Sequence, residues 1–138
     1  MKNNIIAVLT GVFTGWVVVF SGEAVQQQFI TVPEGFDYTD PVQLQAFSDS
    51  LHTWAWISFI IIWGLSAFLG GMITGKVGKG NWKKLCLITG GILLLGSIAN
   101  MFIIPHPLWV NVITVLMYFP LAYVGGSMLA PKGELIRG

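Results

Sequence analysis

The stretch Leu85–Pro131, LCLITGGILLLGSIANMFIIPHPLWVNVITVLMYFPLAYVGGSMLAP, decides the fold. Across these 47 residues the only side chain that can carry charge near neutral pH is His106. At 1.5 Å per residue, a helix needs about 20 residues to cross a hydrocarbon layer of ~30 Å. The stretch is long enough for two such helices. Pro105-His106-Pro107 divides it, because two prolines around one residue cannot continue a helix. A connection that tight makes the two helices antiparallel neighbours.

Working outward, Asn3–Gly22 has no ionisable group, and Ser50–Gly75 has only His52. The reading is an all-α, polytopic membrane protein with four transmembrane helices in an antiparallel bundle. Spans are expected at about 5–26, 53–77, 83–104 and 108–130, in a single domain covering 1–138. Composition agrees. Of 138 residues, 54% are hydrophobic and 9% charged, against about 25% charged in a typical soluble domain. Too little polar surface remains to cover a water-soluble sphere. A soluble enzyme, a disordered chain and a coiled coil are set aside, and a net charge of +1 leaves no footprint for nucleic acid. The first span has a loose signal-peptide look, with Lys2 before it and Gly22-Glu23-Ala24 after it. It is longer than a usual signal core and carries Trp16 and spaced glycines, so a retained helix is expected.

Basic residues set the orientation. Lys2, then Lys76, Lys79, Lys83 and Lys84, then Lys132 and Arg137 all fall on one side of a four-span chain. Both termini are therefore expected in the cytoplasm. The long outer connection, 27–52, carries Glu34, Asp37, Asp40 and Asp49. Within it, Asp40-Pro41-Val42-Gln43 supplies an N-cap, a first-turn proline and a capping-box glutamine. A short helix is expected from about residue 41, with Leu44, Phe47 and Leu51 on one face. It would lie on the outer surface or extend the second span.

In lipid, helices approach closely through small residues. The second span offers Gly64, Ala67, Gly71, Thr74, Gly75 and Gly78. The first has Gly11 and Gly15, and the fourth Ala122, Gly126 and Ala130. These stripes fit packing inside one subunit, and they also suggest self-association. Ala67-Phe68-Leu69-Gly70-Gly71 resembles Ala122-Tyr123-Val124-Gly125-Gly126, as a duplicated hairpin would. Pro120 is expected to kink the fourth span. Trp54, Trp56 and Trp109 read as an outer aromatic belt and Trp82 as an inner one.

Chemistry is sparse. The single cysteine, Cys86, excludes dithiol relay chemistry. No phosphate loop, HExxH or GxSxG is present. The candidate polar site gathers Glu23, Asn100, His106, His52 and Asp49 near the outer face. An ionisable residue inside a span is a functional hypothesis by default, and Glu23 is the best case. The competing view is that Glu23 snorkels to the interface. Glu23 is expected to point into the bundle within hydrogen-bond or one-water reach of Asn100 or His106. A histidine beside a carboxylate would protonate more readily. Glu23, His52 and His106 are conceivable metal ligands, but their spacing is unspecific, so no metal and no cofactor are assigned. His106 between prolines suits a haem ligand still less. Asn100 on its own reads as an interhelical hydrogen-bonding residue, worth about 0.6 kcal/mol.

Certain residues carry a family resemblance: Glu23; Val32-Pro33-Glu34-Gly35-Phe36-Asp37; Asp40-Pro41; Trp63 with Gly70-Gly71; Ala99-Asn100; Ile104-Pro105-His106-Pro107-Leu108-Trp109; and Pro120. Over nearly its whole length the chain resembles a group of small bacterial four-span membrane proteins of unassigned function, most specifically in the Pro-His-Pro-x-Trp hairpin. The resemblance implies the four-span fold and the bacterial cytoplasmic membrane, and no activity. Function is then expected to be non-catalytic: a bundle in the lipid bilayer that associates with itself or serves a partner membrane protein. The alternatives are a small transporter or channel with an outward-facing vestibule at Glu23, Asn100 and His106, and a metal-dependent membrane enzyme.

Overall fold

The computed structural model describes residues 2–131; Lys132 and Arg137, used above for orientation, lie outside them. Over this range the protein is all-helical, with α1 (Lys2–Gln26), α2 (Pro41–Ser50), α3 (Thr53–Val77), α4 (Trp82–Ile103) and α5 (Leu108–Leu129). Four of these, all but α2, are long and apolar enough to cross a membrane, and they pack together. The chain is a multi-pass membrane protein. Span boundaries fall within a few residues of those expected. α5 continues as a helix through Pro120.

Consecutive spans are antiparallel, but α3 and α5, which run the same way, share the broadest contact. Glycine explains it. A Cβ on Gly71 would strike the Ala122 backbone, meeting its carbonyl oxygen first and its Cα at 2.7 Å. One on Gly75 would come within 2.8 Å of the Gly126 Cα, and one on Gly125 would strike the Phe68 carbonyl. The two similar pentapeptides therefore pack on each other. They are offset by one turn, since Gly71 lies most closely against Ala122 and Gly75 against Gly126.

The other face of α3 receives α1. A Cβ on Gly11 would come within 2.6 Å of the Gly70 carbonyl oxygen. Beside it, Thr74 Oγ1 donates to the Gly70 carbonyl at 2.9 Å and pairs with Thr89 Oγ1 at 2.8 Å, tying α3 to α4 in a fully buried polar node. Leu93 of α4 lies on Gly15 and closes the α1–α4 seam at that level. Gly11, Gly15, Gly64, Ala67, Gly71, Gly75, Ala122 and Gly126 are all buried within the subunit.

The belt assignment holds for only half of its tryptophans. Trp54 and Trp109 are exposed, at 47% and 41%. Trp56 is buried, and so is Trp82, which packs on Cys86 and Ala130 with its ring 5.4 Å from that of Tyr123. Position along a helix sets depth, whereas the helix face decides between lipid and interior.

α2 is a separate helix. Asp40 accepts from the Val42 amide at 2.9 Å, and Pro41 fills the first turn. Gln43 departs from a capping box: its Oε1 accepts from the Asp37 amide, not from that of Asp40. Leu44 and Ser48 face inward, and Ser48 Oγ donates to the Pro105 carbonyl at 2.7 Å. α2 is thereby fastened to the Pro105–Pro107 hairpin and roofs that end of the bundle.

Candidate functional site

α1 stops short of the N-terminal end of α3. Its last residue, Gln26, is buried, and its Nε2 donates to the Ala55 carbonyl at 2.8 Å and to the Ser58 hydroxyl. One turn earlier, Glu23 Oε1 accepts from Trp63 Nε1 at 3.0 Å. Trp63 stands ten residues on from the start of α3, about 15 Å along its axis. Glu23 therefore lies deeper against its neighbours than counting from the end of α1 implies. No cation pairs with it among the described residues.

Two cavities meet this carboxylate. The first, about 420 Å³, lies between α1 and α4 above the Gly15–Leu93 contact. Trp16, Phe20 and Glu23 form one wall and Gly96, Asn100 and Ile103 the other. Trp63 and Tyr118, each 1% exposed, form the back, while Phe20 and Ile103 at the rim are 70% and 67% exposed. It is thus a cleft open sideways, toward lipid. At the back, the Tyr118 hydroxyl lies beside those of Ser66 and Ser97, which donate to the Trp63 and Leu94 carbonyls. The second cavity, about 380 Å³, lies at the hairpin end of the bundle under the α1–α2 loop and α2. Tyr38, Phe47, Trp56 and His106 are among its lining residues. Glu23 and Asn100 line both cavities. The Asn100 carboxamide has no hydrogen-bond partner among the described residues.

Of the five residues expected at the site, three come together. Glu23, Asn100 and His106 share the second cavity, but the hydrogen bond of Glu23 goes to Trp63. Asp49 and His52 lie elsewhere. Asp49 is exposed and accepts from Gln45 Nε2 at 2.9 Å. His52 is exposed at the N-cap of α3, in a shallow depression beside Trp54. The described residues contain no cluster of three His, Cys, Asp or Glu side chains of metal-site type. Trp63 and Tyr118 are the residues that site reasoning missed. A signal was available: both lie in mid-span, beyond the reach of an interface belt, where an N–H or O–H needs an acceptor inside the protein.

His106 occupies an aromatic cage, with ring centroids 5.2 Å from Trp56, 5.5 Å from Trp63 and 6.3 Å from Phe59. Nδ1 lies 2.6 Å from the Ile104 carbonyl. A carbonyl only accepts, so Nδ1 carries the proton. Burial pushes the pKa of this imidazole below its ordinary value, and the Ile104 bond offsets that in part. The expectation of easier protonation is reversed, because desolvation outweighs any neighbouring carboxylate. The folded state thus holds His106 neutral. Its contribution is complete above the ordinary value near 6.5 and is lost as pH falls toward the lower folded value. The melting temperature in detergent is expected to drop between about pH 7 and 5, and His106→Phe to flatten that slope. Glu23 and Tyr38 line the same cavity, so the comparison between variant and parent isolates the imidazole; equal slopes would contradict it.

No family model matches the chain, and no curated protein or solved structure matches it.

Proposed function

We propose that this is a small-molecule binding and transport protein of the bacterial cytoplasmic membrane, with its site opening outward at Glu23, Asn100 and His106. One observation carries the reading: a carboxylate without a cationic partner, and an amide without a hydrogen-bond partner, line both a lateral cleft and an outer cavity. Both groups are half-buried within their spans, and polar groups left short of partners inside a membrane are costly, so a ligand or water suits them. The cavity sizes suit small organic molecules, whose sites span roughly 300–1,000 Å³. The orientation rests on Lys76, Lys79, Lys83 and Lys84 around the α3–α4 connection. α1 begins beside that connection, with Asn4 Oδ1 accepting from the Lys79 amide at 3.2 Å. By the positive-inside rule this end is cytoplasmic. The resemblance to small bacterial four-span proteins supports the cytoplasmic membrane.

The reading as a self-associating or accessory bundle draws on the small-residue stripes. Those stripes are used inside the subunit, so they lend it no support here. A metal-dependent enzyme finds no ligand cluster among the described residues.

Cysteine accessibility tests the proposal. In a Cys86→Ser background, Asn100→Cys is expected to react with a membrane-impermeant maleimide added to intact cells. Labelling only after the cells are opened would overturn the orientation. No labelling in either state would remove the outward-facing vestibule.

A further inference from the structure

We propose that the α1–α4 cleft takes an amphipathic organic cation from the outer half of the bilayer, with its charge at Glu23 and its apolar body between the helices. This rests on the reading of the cleft as a small-molecule site and adds the class of ligand.

Four observations converge on that class. Glu23 presents a carboxylate to the cleft with one hydrogen bond, from Trp63, and no cationic partner among the described residues. Trp16, Phe20, Trp63 and Tyr118 line the same space, and aromatic faces attract organic cations most strongly where water is excluded. Among the described residues, charge is segregated along the molecule. Glu23, Glu34, Asp37, Asp40 and Asp49 occupy the outer half, whereas Lys76, Lys79, Lys83 and Lys84 lie at the far end. Such a field raises the local concentration of cations and repels anions. Finally, the cleft opens sideways between exposed apolar rims at Phe20 and Ile103. A hydrophilic cation has no reason to take that route, whereas an amphiphile already dissolved in lipid does. Asn100, on the opposite wall, supplies a second, uncharged oxygen.

Gly96 gives independent access to the space. A Cβ there meets nothing nearer than Trp16 Nε1 at 4.0 Å, so a large side chain fills the cleft without disturbing the packed interior. The adjacent Leu95 is 66% exposed and serves as a lipid-facing control. Glu23→Gln keeps an acceptor for Trp63 and removes only the charge.

The test is equilibrium dialysis of tetraphenylphosphonium against the full chain in phosphatidylcholine nanodiscs, with empty discs subtracting lipid partition. A neutral apolar dye, N-phenyl-1-naphthylamine, is titrated in parallel. The parent is expected to bind the cation saturably. Glu23→Gln should weaken it by about tenfold or more, Gly96→Trp should abolish it, and Leu95→Trp should leave it unchanged. Circular dichroism and elution volume confirm that each variant is folded. Unchanged binding in Glu23→Gln would overturn the assignment of charge. Binding that survives in Gly96→Trp would overturn the assignment to the cleft. If the parent binds the neutral dye in a Gly96→Trp-sensitive way but not the cation, the ligand class falls and the small-molecule site stands. If it binds neither, both fall.

Discussion

Replacing Trp63 with alanine is expected to be the most damaging change near the site, lowering stability by about 3 kcal/mol or more. The side chain is 1% exposed and belongs to the core cluster with Val12, Ala67, Leu93, Leu94 and Tyr118. In a bilayer the transfer component is small, because lipid is as apolar as the interior. The loss comes from the cavity and from forfeited contacts. A second component comes from Glu23, which would lose its donor; the group is half-buried, so this adds at most about 1–3 kcal/mol. Trp63→Phe separates the two, since it keeps most of the volume and removes only the N–H. Thermal melts of parent and variants in one detergent read both. A Trp63→Ala loss below about 1 kcal/mol would show that the side chain is not enclosed.

Gly71→Leu is the second large effect. Overpacking a core usually costs about 1–3 kcal/mol, and here the obstacle is the Ala122 backbone, which cannot rotate away. The α3–α5 contact must open, so a loss at or above the top of that range is expected, with aggregation on heating. Gly91→Ala is the control. Its Cβ would meet only the Phe119 ring, at 3.7 and 3.9 Å, and alanine is the better helix former. It should be neutral or stabilising. Equal losses in the two variants would mean that Gly71 is not a backbone contact.

Much of this fold is legible in the sequence because single residues impose it. Pro105 and Pro107 force the hairpin, and charge-free runs fix the spans. Asp40-Pro41 starts α2 where its cap places it. Relations between helices are less legible. The stripe on α3 says that something packs closely there, but not that α5 takes Gly71 while α1 takes Gly70 and Thr74. The depth of Glu23 depends on α1 ending opposite the second turn of α3, which Gln26 fixes through Ala55 and Ser58. No local rule contains that offset. The partner of Glu23 escaped for the same reason: Trp63 lies 40 residues away in sequence, and its significance was visible only as a tryptophan too deep for a belt.

The central position of α3 bears on how the protein is made. Its seam with α1 can close as soon as the first two spans are in the membrane. The opposite seam, at Gly71 and Gly75, waits for residues 122 and 126, in α5, which leaves the ribosome only after α4. Until then a glycine-lined groove with exposed backbone carbonyls faces lipid. A chain stalled after α4 would carry that groove permanently, with α3 lacking its broadest contact.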